Sequence, residues 1–307
     1  MDHDQQPAPG VPAYPYAPPA WPPPQPPLQQ YPPVPPRRRH RVLRSLLVLV
    51  AVVGLVAAGW WLRSGEPPAL PLVTQPTTAP VEAPRTVPTP GFQESDEPLG
   101  TPPPAPDSDS FAFIARQDDD TTPVAYDPCR PVDVVLSTDG APEGAEAMLT
   151  DALTRMTEVT GLQFRYAGPT DEAPGGGRAA YQPDRYGDRW APVLVGWRTP
   201  EQEPGLAGDV AGLGGSASAG PQGGPLVYVT GSVTLDGPEY ATLLVDGDAE
   251  LARAILLHEL GHVVGLAHVW DDTQLMASTT SGGVLDFADG DLAGLARLGA
   301  GECVPEL

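Results

Sequence analysis

Between residues 258 and 268 the chain reads His-Glu-Leu-Gly-His-Val-Val-Gly-Leu-Ala-His. Three of these side chains offer imidazole nitrogens, the commonest ligands for zinc and its neighbours. Residues four apart on a helix lie one above the other on a single face, so His258 and His262 can present two nitrogens to one ion with Glu259 beside them. Gly265 has no Cβ and can turn the chain sharply through a left-handed conformation, which brings His268 round as a third nitrogen. Three protein ligands leave the fourth tetrahedral position to water, the arrangement of a catalytic zinc rather than a closed structural one. In that chemistry the metal acidifies the water and polarises a carbonyl, and Glu259, one residue from a ligand, takes the proton as general base.

The histidine count sharpens this reading. The chain has five histidines, and the two outside the motif, His3 and His40, lie in proline-rich and arginine-rich N-terminal sequence. Every histidine of the C-terminal domain is therefore in the motif. Five fixed positions, three of them a scarce residue type, match by chance on the order of 1 in 10^5 chains of this size. Satisfied core histidines on an apolar helix are the weaker alternative.

Eight residues beyond His268 stands Met276, in Gln274-Leu275-Met276-Ala277. The zinc motif and this methionine together resemble the metzincins, closest to the matrixin branch. The stretch Asp291-Leu-Ala-Gly294-Leu295-Ala-Arg-Leu298-Gly299 is similar to the closing helix of matrixin catalytic domains. The resemblance implies an α/β (α+β) catalytic domain: a mixed twisted sheet with two main helices, the active-site helix, a Met-turn and a C-terminal helix. It implies a zinc endopeptidase with a protein or peptide substrate, Met276 as a hydrophobic floor under the metal, and an edge strand near the glycine-rich stretch 205–224 along which substrate pairs. As an architecture it spans Pro131 to Gly299; its specific motifs lie between His258 and Gly299. This sequence departs from the family in three ways. No histidine is left for a second, structural zinc, so one catalytic Zn2+ is expected. No tyrosine follows Met276 closely, and Val269 stands where adamalysins place an aspartate. Asp271 and Asp272 read as exposed loop acids, near enough to accept from a histidine N–H.

The elements that must position these residues are legible in outline. Val132 to Ser137 is β-branched and apolar, a strand. Pro142 at a helix start, then Met148, Leu149, Ala152, Leu153, Met156 and Val159 at helical spacing, predict a helix stopped by Gly161. Leu162 to Tyr166, Pro192 to Trp197 and Leu226 to Leu235 predict further strands, the last broken near Gly231, and Asp248 can cap the helix of the histidines. The stretch from Gly205 to Gly224 is too rich in glycine to predict as regular. It is no phosphate cradle, since no Lys-Ser/Thr follows.

Ahead of the domain the composition changes repeatedly. Residues 1–36 are proline-dominated and read as a disordered tail on the cytoplasmic side. Residues 37–44 hold five arginines, and the uncharged run 45–62 is just long enough for a membrane helix. The arginine excess before the run, against Arg63 alone just after it, sets the N-terminus in the cytoplasm. The sequence thus predicts a single-pass cell-membrane protein with residues 63–120 as an extracellular Pro/Thr/Asp-rich stalk and 121–307 as an extracellular peptidase domain. Phe111-Ala-Phe-Ile114 interrupts the stalk as an apolar patch, either docked on the domain or a buried strand edge.

Residues 1–65 carry six Arg and two Asp, +4, so the chain's net charge of −22 leaves −26 for the rest. Such a domain avoids nucleic acid and anionic surfaces. Acidic loops such as Asp171-Glu172, Glu201 to Glu203 and Asp246 to Asp248 have the residue type for Ca2+ but not EF-hand spacing, so solvated acid is the reading. The two cysteines, Cys129 and Cys303, bracket the domain and predict one disulfide. The rival is a cysteine switch with Cys129 on the zinc, although Asp127-Pro-Cys129-Arg-Pro131 matches the matrixin switch segment poorly. A catalytically silent or narrow-specificity cell-surface zinc module acting on the envelope is the alternative function; an intact Glu259 argues against it. Oligomeric state is not legible.

Overall fold

The computed structural model describes residues 85–91, 94–279 and 283–307. They belong to a unit that spans Val81–Leu307, while the unit Met1–Pro80 lies outside the described residues. The frame is a sheet whose central strands are short runs rich in Val and Leu. These are β3 (Val132–Ser137), β5 (Val193–Arg198) and β7 (Val227–Asp236), with β4 (Phe164–Thr170) outside β3 and the short β2 (Ala125–Tyr126) beside the start of β7. All of these pair in parallel. β3 and β5 read as nearly continuous Val/Leu runs, as strands buried on both faces do, whereas β7 alternates Val and Leu with Thr, Ser and Gly. The mostly parallel mixed α/β architecture follows from these pairings.

The last strand of the sheet runs the other way. Gly212–Ala219 forms β6, antiparallel to β7 over its whole length, and no strand among the described residues pairs its outer edge. Composition alone predicts no regular structure here. The order comes from neighbours, not from propensity: one edge is laddered to β7, and Ser216 Oγ donates to the Val263 carbonyl, 2.7 Å away, on the helix beneath. β7 itself continues through Gly231 without a break, and the glycine there leaves room for β6, since a Cβ would come within 2.6 Å of Ser216 Oγ.

Two sixteen-residue helices cover one face, α1 (Ala145–Thr160) and α4 (Ala249–Val264). Gly161, at φ +77°, ends α1 as predicted. α4 is apolar nearly all round and is enclosed accordingly; Leu256, Leu257, Leu260, Val263 and Val264 are fully buried. Each such side chain contributes about 1.5–3 kcal/mol by leaving water. A shorter helix, not predicted from the sequence, leads into it. This is α3 (Gly237–Asp246), capped by Asp236, whose carboxylate accepts from the Glu239 N–H at 2.9 Å. The other face of β7 presents Thr230, Ser232 and Thr234. There Arg178, on a loop that includes the short α2 (Pro183–Tyr186), donates to Thr230 Oγ1 at 2.7 Å and to the Pro192 carbonyl at 2.8 Å. Glu172 spends its carboxylate on Arg178, Gln182 and Tyr186. The chain closes with α5 (Asp289–Leu298).

Cys129 and Cys303 form the disulfide, across a sequence separation of 174 residues. The thiol is thus taken, and Cys129 is no cysteine switch. Closing so long a loop contributes at most about 5 kcal/mol in the chain-entropy model. Asp127 locks the same corner, accepting from Cys129 N at 2.8 Å, Arg130 Nε at 2.9 Å and Val304 N at 3.1 Å.

Two expectations about the N-terminal half change. Residues 94–117, read from composition as spacer, lie along the domain. Ser95 and Leu99 donate to the Cys129 and Pro128 carbonyls at 2.8 and 2.9 Å, and Ala112–Phe113 forms a strand, β1, paired antiparallel with β8 (Leu266–Ala267). The predicted single-pass, cell-membrane localisation with an extracellular domain is corrected as well. No helix among the described residues is long and apolar enough to cross a membrane, and the sixteen residues of α1 and α4 fall short of the ~20 a span takes. The run 45–62 on which the expectation stood lies outside the described residues.

Candidate metal centre

Two of the histidines stand on the second half of α4, and the third is placed by the turn that ends this helix abruptly. Gly265, at φ +121°, terminates the helix, its N–H returning to the carbonyls of Gly261 and His262 at 3.1 Å each. A side chain is excluded there twice over. The φ is strained for any L residue, and a Cβ would stand 3.0 Å from the Tyr228 ring and 3.1 Å from Leu298. The chain then turns through β8 and delivers His268 against the helix.

The three imidazoles meet through Nε2. His268 Nε2 lies 3.1 Å from Nε2 of His258 and 3.1 Å from Nε2 of His262. The other nitrogens of the helical pair are committed: His258 Nδ1 donates to the Leu275 carbonyl and His262 Nδ1 to the Leu266 carbonyl, both at 2.7 Å. A carbonyl only accepts, so these bonds fix Nδ1–H on both rings and leave both Nε2 atoms with bare lone pairs. His268 has at most one proton to share between them, so at least one 3.1 Å contact is lone pair against lone pair. A bound cation relieves that repulsion. Tetrahedral ligation at about 2.0–2.1 Å sets nitrogen atoms about 3.3 Å apart, close to the spacing seen, and an all-nitrogen set suits zinc rather than calcium or magnesium. Burial, reinforced by neighbouring His262, pushes His258 down to about 4, and burial lowers His262 and His268 too. Neutral imidazole is the ligating form, so the site is prepared to hold a metal near neutral pH.

Beneath the histidines lies Met276, almost fully buried. A Cβ on Gly261, between the two helical ligands, would come within 2.6 Å of its sulfur. The turn that carries it is held from α5. Asp291, 1% exposed, accepts from the N–H groups of Leu275 at 2.7 Å, Met276 at 3.3 Å and Ala288 at 3.1 Å. Gln274 reciprocates, its Oε1 taking the Gly290 N–H at 2.8 Å at the start of α5. Leu275 thus gives its N–H to Asp291 and its carbonyl to His258. Burial raises the pKa of Asp291, against the three N–H bonds that lower it.

Glu259 faces the edge strand. A Cβ on Gly212 would stand 2.8 Å from Glu259 Oε1, and one on Gly214 would sit 2.9 Å from Oε2 and collide with the Glu259 carbonyl. The glycines of β6 are therefore the space the carboxylate occupies. Burial pushes Glu259 up to about 7, offset in part by a hydrogen bond from the Gly214 backbone. A carboxylate raised in this way is a stronger base than a solvated one.

The structure brings His258, His262, His268, Gly265 and Met276 into one place, with Glu259 directly after His258 on α4. Cys129 and Cys303 are not among them; they form the disulfide beside Asp127. Sequence reasoning does not single out Asp291 and Gln274 as supports, nor Gly212 and Gly214 as the wall. Among the described residues one other group has ligand-like spacing, Asp127 with Cys129 and Cys303, and the disulfide closes it. Zinc supplied at about a thousand times its dissociation constant is expected to stabilise the protein by about 4 kcal/mol, or roughly 10 °C for a domain of this size. Calorimetric melts with zinc and with EDTA measure the difference. Coincident melts would mean that the histidines hold no metal.

No family model matches the sequence, and no curated protein matches it. Among solved structures the chain is similar to archaemetzincin from Methanopyrus kandleri, at 19% identity and a TM-score of 0.36, over 54% of this chain and 93% of that one. A likeness of this size carries nothing about chemistry; the histidines and their surroundings do.

Proposed function

We propose that this chain is a zinc-dependent endopeptidase of metzincin type. The observation that carries the reading is the convergence of three Nε2 atoms at 3.1 Å contacts, two of them held proton-free by the carbonyls of Leu275 and Leu266. The buried carboxylate of Glu259 beside β6 adds the base such a site needs. Assignment to the matrixin branch rests on the residues between His258 and Gly299.

Zinc, when bound, supplies a Lewis acid that polarises the scissile carbonyl and acidifies water at the site. His258, His262 and His268 hold it as neutral donors, so its positive charge remains available to a developing oxyanion. Glu259 takes the proton from water and passes it to the departing amine nitrogen. β6 lies alongside with its outer edge unpaired by any strand among the described residues, and its backbone can bind an extended peptide as an added strand. This backbone recognition is indifferent to side chains and suits a peptide substrate.

The test is hydrolysis of casein by the purified full chain, before and after treatment with 1,10-phenanthroline and then with zinc restored. Cleavage that disappears with the chelator and returns with the metal supports the reading. A protein that binds zinc stoichiometrically yet cleaves neither casein nor a mixed peptide library would be a binding module instead.

A further inference from the structure

β8 is two residues long, yet two of the three histidines depend on it. The carbonyl of Leu266 accepts a hydrogen bond from His262 Nδ1–H, and His268 follows Ala267 directly. So short a strand does not hold itself. Among the described residues its one strand partner is β1, with Ala112 opposite Ala267 and Phe113 opposite Leu266. The pairing continues at Ile114, whose N–H donates to the Gly265 carbonyl at 2.9 Å. At the other end Ser110 Oγ donates to Asp271 Oδ2 at 2.6 Å, beyond His268. Residues 110–114 thus grip the ligand-bearing loop both before and after the third histidine.

The far side of this segment is seated as well. α5 turns Gly290 and Gly294 towards it, one helical turn apart. A Cβ on Gly290 would collide with the Ser110 carbonyl, and one on Gly294 would stand 3.0 Å from Phe111 Cβ and 2.7 Å from Leu266. Arg297 lies over the Phe111 ring at 4.7 Å, and the Phe111 and Phe113 rings are 5.3 Å apart. The segment thus packs on α5 on one side and pairs with β8 on the other, beside the place where Gly294 of α5 meets Leu266.

We propose that residues 110–114 are a positioning strap of the metal centre, whose pairing with β8 sets His262 and His268 for the metal. The inference rests on the zinc reading above and adds to it a stretch far upstream in sequence. A fragment beginning at residue 121 lacks the strap altogether.

Ile114 gives a clean test in the full chain, because its side chain is 51% exposed and its N–H is what binds Gly265. Ile114→Pro removes that donor, and the extended residue before it tolerates a following proline; Ile114→Ala keeps the donor. Zinc affinity is read by chelator competition, and ligand geometry by the visible spectrum of the cobalt(II)-loaded protein. Ile114→Pro is expected to weaken zinc ~10-fold or more and to alter the cobalt bands, while Ile114→Ala stays within about twofold of the parent. Unchanged affinity and spectrum in folded Ile114→Pro would overturn the proposal. If circular dichroism shows that variant unfolded, Ser110→Ala decides. A loss of about threefold or more supports the strap, and parent-like affinity overturns it. A parent protein that binds no zinc would sink the metal reading and the strap together. A parent that binds zinc, beside an unaffected Ile114→Pro, would sink the strap alone.

Discussion

Glu259→Gln is expected to lower kcat/KM for peptide cleavage by about 10^3-fold or more, while zinc stays bound at the parent stoichiometry. The substitution keeps shape and length, so the side chain still fills the space left by Gly212 and Gly214 and can still accept from the Gly214 backbone. What it removes is the ability to take a proton. The three imidazoles keep their partners, Leu275 and Leu266 for the helical pair, so metal affinity has no reason to change much. Kinetics on a fluorogenic peptide and metal analysis of the same preparation separate the two effects. A variant with zinc and near-parent turnover would show that Glu259 is not the base. A variant that loses zinc would show that Glu259 supports the ligands instead.

The histidine cluster was legible because it is local. His258, His262, Gly265 and His268 sit within eleven residues, and their spacing expresses a helix and its termination, both short-range geometry. The central strands were legible for the same reason: β3 and β5 are nearly uninterrupted apolar runs, and β7 alternates Val and Leu with Thr and Ser. The surroundings of the histidines are not local. β6 reads Gly-Leu-Gly-Gly-Ser-Ala-Ser-Ala, with almost no intrinsic strand preference, and it is a strand only because β7 and α4 leave an extended slot beside Glu259. The signal was there in another form: glycines at alternate positions mark one face of a strand approached closely by something else.

Asp291 shows a different limit. An acidic residue in the first turn of a helix is accounted for by the helix dipole, so nothing in the sequence singles it out. Its partners Leu275 and Met276 lie sixteen and fifteen residues upstream, and only the folded chain brings them to it. β1 is harder still. Its two residues lie in the apolar patch Phe111-Ala-Phe-Ile114, which composition marks as docked or as a strand edge, but so short a run carries no periodicity to say what it pairs with. The α3 helix, by contrast, could have been read, for Asp236-Gly-Pro-Glu239 carries a capping residue and a proline at the helix start, and Gly247 ends it.

Asp291 also supplies the second large effect. Asp291→Ala strips the acceptor from three N–H groups in a place that is 1% exposed. Buried donors left without partners cost about 1–3 kcal/mol each, and water entering the space softens the sum, so a loss of roughly 3 kcal/mol or more is expected. The damage should not stop at stability. Leu275 is bonded on one side to Asp291 and on the other to His258, and Met276 fills the gap under Gly261. Freed from Asp291, the turn no longer fixes the tautomer of His258, and zinc affinity is expected to fall about 10- to 100-fold. Asp291→Asn should lie between, because its amide oxygen can serve Leu275 and Ala288 while its NH2 group faces the Met276 N–H without a bond. Melting temperature and zinc competition, measured on all three proteins, distinguish a prop from a positioning residue. If both substitutions lower the melting point and leave zinc affinity at the parent value, Asp291 holds only the fold. If affinity falls in the order Asp, Asn, Ala, the carboxylate holds the turn and the turn aims the first ligand.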